Sequence, residues 1–178
     1  MLEVNTTRFG KIEVNDKDVL TLPKGLVGFE DLKRYVLLDH DDNSPFKWLQ
    51  SLDDEAIAFV LINPLLFKLD YSVEVTEGEV LDLDIKEEKD AVISVIITMP
   101  SKDPQNMTAN LKAPLIFNVL NRRGKQIILN TSDYSAQHNV MFEIKKHIEL
   151  EKKSSDDERI RKSKENISGV RVEGKNSA

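Results

Sequence analysis

Three histidines, His40, His138 and His147, are the only imidazoles in this chain of 178 residues. Imidazole is the side chain best suited to proton transfer near neutral pH and to holding a transition metal. None of the three stands in an H-x-x-x-H or H-E-x-x-H setting, the spacing that brings two ring nitrogens onto one helix face. His147 falls near the expected end of a helical segment, where the helix dipole alone accounts for it. No serine sits in a G-x-S-x-G elbow. Gly25-x-x-Gly28 lacks the Lys-Ser/Thr ending and the strand–helix context of a phosphate loop. Carboxylates cluster at Asp39–Asp42 (interrupted by His40), Asp53-Asp54-Glu55 and Glu87-Glu88. They lack the D-x-D-x-D-G pattern with a following Glu that calcium loops use. They read as solvated turns, or as charges that steer a basic protein. Cysteine is absent, which excludes disulfides and thiolate metal sites and fits a reducing cytosol. The expectation is a chain with no catalytic residues, no cofactor and no metal.

Binding chemistry is better represented. Leu22-Pro23-Lys24-Gly25-Leu26-Val27-Gly28-Phe29-Glu30 places one Pro and two Gly within six residues. Pro fixes φ and Gly admits φ > 0, so a tight turn is required. Turns normally carry polar groups, yet this one carries Leu26, Val27 and Phe29. Those side chains either fold under the core or meet a partner. With Asp53, Asp54, Glu87 and Glu88 they form the candidate partner-binding set. Trp48, the single tryptophan, shares a strand face with Phe46 and Gln50. Its default place is the core of a β-domain, with an interface as the alternative.

The elements that must position these groups are short strands. Segments rich in β-branched and aromatic residues cover Leu2–Asn5, Phe9–Val14, Val19–Leu22, Arg34–Asp39, Phe46–Leu52, Ile57–Ile62 and Tyr71–Val75. Further ones are Ala91–Met99, Asn110–Ala113, Leu115–Leu120 and Lys125–Asn130, with turn signals between them. In Ala91–Met99 the odd positions Ala91, Ile93, Val95, Ile97 and Met99 are all apolar, which predicts one face in the core. Leu115–Leu120 and Lys125–Asn130 predict a hairpin, with Gly124 at a position of positive φ. Many strands without long helices between them predict an all-β sandwich or small barrel. Single helical turns are expected at Gly28–Lys33 and Glu79–Asp84. A longer helix is expected over about Ala136–Glu151, where Val140, Met141, Ile144 and Ile148 recur at helical spacing.

The composition changes after Leu150. Residues 151–178 hold eight Lys/Arg against six Asp/Glu, whereas residues 1–150 hold 17 against 25, a net charge of −8. The expected organisation is one domain over 1–150 and a charged helical extension or disordered tail over 151–178. An acidic body repels phosphate backbones, and one Trp, three Tyr and seven Phe supply few stacking platforms, so direct nucleic-acid binding is not expected. No apolar run approaches the roughly 20 residues of a membrane helix. The N-terminus shows no basic and apolar regions of a signal peptide. A basic protein is the partner that the charge suits.

Five collinear blocks carry a resemblance. They are Leu22-Pro23-Lys24-Gly25-Leu26-Val27-Gly28-Phe29, Pro45-Phe46-Lys47-Trp48-Leu49-Gln50-Ser51, and Ala58-Phe59-Val60-Leu61-Ile62-Asn63-Pro64. Downstream come Thr108-Ala109-Asn110-Leu111-Lys112-Ala113-Pro114 with Asn118, and Gly124-Lys125-Gln126-Ile127-Ile128-Leu129. Over about residues 2–148 the chain resembles the FliW family of bacterial flagellar assembly factors, although Trp48 falls at a variable position of that pattern. The resemblance implies an all-β, mainly antiparallel fold, a small and partly open β-barrel-like domain with a few short helices and a C-terminal helix. It also implies a cytoplasmic protein without enzymatic activity, a monomer when free, with two alternative partners: flagellin, and the CsrA-type translational repressor, a small basic RNA-binding protein. A small-ligand-binding β-barrel is the competing expectation; it requires polar or titratable groups converging inside the barrel.

Overall fold

The computed structural model describes residues 1–100 and 102–168, with side chains through Ser163. Its strands are β1 (Leu2–Thr6), β2 (Gly10–Val14), β3 (Leu20–Thr21), β4 (Arg34–Asp39), β5 (Lys47–Ser51) and β6 (Ala58–Ile62). They continue with β7 (Ala91–Thr98), β8 (Thr108–Ala109), β9 (Leu115–Asn118), β10 (Arg123–Gln126) and β11 (His138–Asn139). The α-helices are α1 (Glu77–Val80) and α2 (Val140–Ser168). Residues 1–141 form one compact unit, and the helix from Phe142 belongs to a second.

Seven strands close a barrel in the order β7-β6-β5-β4-β3-β10-β9, and β9 returns to pair with β7. Every pairing in the ring is antiparallel except β3 with β10. Closure removes the free edges that an open sheet exposes. β7 is the seam. Its first half pairs with β9 (Ala91↔Asn118 to Ser94↔Leu115), while its second half pairs with both β6 (Leu61↔Ile96) and β8 (Ile97↔Ala109).

The barrel core consists of Leu20, Leu22, Leu26, Tyr35, Leu49, Leu61, Leu115 and Phe117, with Phe59 and Ile96 packed against it. Two further layers cover the outside. Leu83, Ile116, Ile127 and Leu129 form one with Val73, Val75, Ala91 and Ile93. The β1–β2 hairpin supplies the other, packing Val14, Leu2, Val4 and Ile12 with Val36, Leu38 and Leu52. This corrects the one-faced reading of β7. Its apolar odd positions Ala91 and Ile93 lie under the outer layer, whereas Ile96 of the mixed face reaches the barrel interior.

Other expectations need correction. Tyr71–Val75 forms no strand. It is held by isolated bonds instead: Tyr71 N–H donates to the Lys68 carbonyl at 3.0 Å, Ser72 N–H to the Tyr134 hydroxyl at 2.9 Å, and the Tyr71 hydroxyl to the Leu111 carbonyl at 2.7 Å. Asn110–Ala113 is a turn in which Asn110 Oδ1 accepts from Ala113 N–H, and the strand pairing lies just before it at β8. Lys125–Asn130 leaves the ladder after Gln126, although Ile127 and Leu129 still donate to the carbonyls of Pro114 and Lys112. In the β9–β10 hairpin the left-handed residue is Arg122 (φ 60°), not Gly124. Gly124 serves close approach: a Cβ there would lie 2.5 Å from Phe117 Cδ1.

α1 starts on a reciprocal capping box, in which Thr76 Oγ1 accepts from Glu79 N–H and Glu79 accepts from Thr76 N–H. α2 begins at Val140, later than its apolar spacing suggests, because His138 and Asn139 pair with β8. Residues 151–163 continue this helix with every side chain exposed, and Glu158–Lys162 pairs at 3.2 Å in the favourable i,i+4 order. The loose tail expected from Gly169 onward lies outside the described residues.

Candidate partner-binding surface

The turn at Leu22–Glu30 closes one end of the barrel. Gly25 adopts φ +66°, and a Cβ on it would lie 2.6 Å from the Phe29 carbonyl oxygen, so no other residue fits. This lets Leu26 fold back into the core, where it is 1% exposed. Leu26 is therefore withdrawn from the candidate set, since a side chain without accessible surface meets no partner. Phe29 is half-buried edge-on against Phe59, with centroids 5.1 Å apart. Val27 alone of the three stays open, at 61% exposed, and its N–H is held by Gln126 Oε1 at 2.9 Å.

The four carboxylates separate into two groups. Asp53 lies beside the base of the turn and fastens it. Its carboxylate accepts from Lys33 N–H and Arg34 N–H, both at 2.8 Å, and from Arg34 Nε at 2.7 Å. Desolvation pushes the Asp53 carboxyl up, but these donors and the guanidinium charge outweigh it and hold it below its ordinary value. Asp54 accepts from Ala56 N–H within the same loop, which Gln50 anchors from below through Nε2 to the carbonyls of Ser51 and Ile57. Glu87 and Glu88 lie on a separate turn before β7, both exposed, with Glu87 paired to Lys89 at 2.9 Å. All four are exposed residues; Asp53 and Asp54 differ in that they also accept hydrogen bonds from nearby backbone N–H groups.

Among the described residues, no ionisable groups converge in the barrel interior. Its one tyrosine, Tyr35, is fully buried with an unpartnered hydroxyl, and burial, followed by the Asp53 charge, pushes it up to about 12. A small-ligand barrel needs polar groups aimed into a cavity. Here the space is filled by leucines and aromatic rings.

An apolar groove opens instead on the outer face of β5, β6 and β7. It encloses about 350 Å³ and is lined by His40, Phe46, Trp48, Val60, Ile97 and Met99. Register brings three of them side by side, with Trp48 opposite Val60 and Val60 opposite Ile97. Trp48 is half-buried on the outside of the barrel, so its expected place in the core is corrected. Alternation decides this: Leu49 takes the inward position and Trp48 the outward one. The indole is held from three sides. Arg8 lies over it at 4.4 Å from the ring centroid, Phe9 meets it edge-on at 5.6 Å, and its Nε1–H donates to His40 Nδ1 at 3.1 Å. Asp39 and Lys47 form an ion pair beside it.

A second groove, about 330 Å³, lies between residues 72–79 and 128–134 and carries Glu74, Glu79 and Asp133 around Tyr134. Both grooves lie outside the barrel.

The comparisons with known proteins agree with this architecture. The FliW protein family model matches residues 3–140. The chain belongs to the FliW family. The flagellar assembly factor FliW of Caldanaerobacter subterraneus is 43% identical over 145 residues, 81% of this chain and 96% of that protein. That of Natranaerobius thermophilus is 42% identical over 137 residues, 77% of this chain and 91% of that protein. A crystal structure of the flagellar assembly factor FliW matches with a TM-score of 0.73 at 34% identity, covering 78% of this chain and 96% of that one. The all-β barrel is thus a FliW fold, and the resemblance seen in the five sequence blocks is confirmed.

Several residues escaped the candidate set: His40, Phe46, Val60, Ile97 and Met99 of the groove lining, and Arg8 over the indole. The available signal was β7, whose odd and even faces both carry large aliphatic residues. A strand in contact with water on one side does not need that. Arg8 and His40 come from a turn and a strand end, and nothing in their sequence neighbourhood ties them to Trp48.

Proposed function

We propose that this FliW-family chain acts in flagellum assembly as a non-enzymatic, cytoplasmic binding protein that captures a CsrA-type translational repressor and, alternatively, flagellin. The observation that carries this reading is the placement of accessible chemistry. The barrel interior is packed shut, while its outer wall offers an apolar groove built on Trp48. A subunit held back from polymerising presents apolar surface that a partner must cover, and such a groove suits it. The net charge of −8 over residues 1–150 suits a basic repressor and speeds its encounter. Exclusive binding of the two partners makes the protein a switch: flagellin withdraws it from the repressor, which then shuts flagellin synthesis down. Among the described residues, no helix is long and apolar enough to cross a membrane.

Size-exclusion chromatography of the purified protein with each partner at low salt is the test. We expect co-elution with each, weakening with rising salt for the repressor, and displacement of one partner by the other. Absence of both complexes would overturn the proposal. Removing residues 151–178 leaves both complexes intact if 1–150 is the binding domain.

A further inference from the structure

We propose that His40 is an acid-labile latch on Trp48 and on the groove it walls. Indole nitrogen only donates, so the 3.1 Å contact from Trp48 Nε1 requires His40 Nδ1 to be an acceptor. The neutral ring must then carry its proton on Nε2. Protonation converts Nδ1 to a donor, sets two N–H groups against each other and breaks the contact. Imidazole is the side chain whose charge changes between about pH 5 and 8. Charged residues adjoining His40 in the chain are Asp39 of β4 and Asp41 and Asp42 of the following loop; Arg8 of the β1–β2 turn lies over the Trp48 ring, and Lys47 of β5 pairs with Asp39. The groove residues Val60 of β6, Ile97 of β7 and Met99 just after β7 add no titratable group. The acceptor is lost in every charged state of the ring.

Loss of the latch leaves Trp48 with Phe9 and Arg8 as its aromatic and cationic neighbours. Arg8 then shares the site with a second cation, which further disfavours the closed arrangement. His40 and Trp48 are both groove walls, so the cavity loses its shape when they part. The consequence for flagellin capture rests on the function proposed above. The release of Trp48 does not.

Trp48 is the only tryptophan, so intrinsic fluorescence reports the latch directly. The full-length protein is titrated from pH 8 to pH 5, and the accessibility of Trp48 is read in parallel by acrylamide quenching. The expected result is one sigmoidal change in emission with at least a two-fold rise in the quenching constant at the acid end. His40→Gln, whose amide oxygen accepts from indole at every pH, is expected to stay in the closed state throughout. His40→Phe, which cannot accept, is expected to show the open signal even at pH 8. A flat wild-type titration, or an unchanged titration in His40→Gln, overturns the proposal. Flagellin capture is then compared at pH 7.5 and 5.5. Weakening in the wild type but not in His40→Gln supports the latch as a control on binding, and equal capture by the wild type at both values overturns that control. Absence of capture at both pH values counts against the proposed function, and the fluorescence titration then decides the latch by itself.

Discussion

The barrel interior and the outer groove are built from opposite faces of the same strands. Leu49 and Leu61 point inward and have almost no accessible surface. Their neighbours Trp48 and Val60 point outward and line an open groove. One residue of offset along a strand thus separates a side chain that holds the fold together from one that is free to meet a partner. The same offset explains how a small barrel supports a binding surface without loosening its core. The groove rests on a packed floor, and the strands that carry it are pinned by the layer beneath.

The sharpest way to break this comparison is to remove one side chain from each face. Leu49→Ala empties fully buried volume in the barrel and is expected to cost about 2–5 kcal/mol, read from urea or thermal unfolding. Trp48→Ala removes a larger side chain from the half-buried outer face. It is expected to cost about half as much stability or less, yet to weaken flagellin capture at least ten-fold. If Trp48→Ala proves the more destabilising and leaves capture unchanged, the groove is an extension of the core and not a binding surface.

A change of intermediate size sharpens where the core ends. Gly124 lies on β10 against the Phe117 ring, and an added Cβ would lie 2.5 Å from Cδ1 and 2.7 Å from Cε1. Phe117 is buried in the barrel core, so the ring has little room to retreat. Gly124→Ala is expected to destabilise by about 1–3 kcal/mol through overpacking, not through backbone strain. Phe117→Leu in the same chain should recover part of the loss by making space. No recovery would mean that the backbone at Gly124 is the cause.

The strands were legible in the sequence wherever alternation and turn chemistry agreed, as in β4, β5, β6 and β7. Helical spacing at Val140, Met141 and Ile144 likewise announced α2. Layering was not legible. The period-2 pattern of β7 states that two faces differ, but it cannot say which one lies inside the barrel when a second apolar layer covers the outside. Tyr71–Val75 illustrates the same loss: Val73 and Val75 have strand character because they pack on that outer layer, yet the segment joins no strand ladder. The candidate site was legible only in part. Asp53 and Asp54 look like any exposed acidic pair until Lys33 and Arg34 are seen beside Asp53, a pairing set by the β4–β5 register. Arg8, His40 and Trp48 meet only because the β1–β2 turn and the end of β4 reach the same face of the barrel.

Asp53 belongs to neither face, and it tests whether the rim of the barrel behaves as core or as surface. Its carboxylate accepts two backbone N–H groups and one guanidinium donor at the base of the plugging turn. Its folded-state pKa is lowered because these donors outweigh the desolvation that would raise it. A carboxyl with a lowered folded pKa contributes stability above its unfolded value, near 3.9. That contribution disappears as pH falls through the folded pKa. Asp53→Asn keeps an acceptor but loses the charge, and partial solvent exposure limits the expected cost to about 1 kcal/mol at pH 7. The deficit relative to wild type should shrink as the pH is lowered from 5 toward 2.5, because protonation strips the wild-type carboxylate of the same advantage. Urea midpoints across that range measure it. A deficit that stays constant with pH would show that the carboxylate charge contributes nothing and that shape alone holds the turn, placing Asp53 with the packed core; a deficit that vanishes on acidification places it with the charged surface.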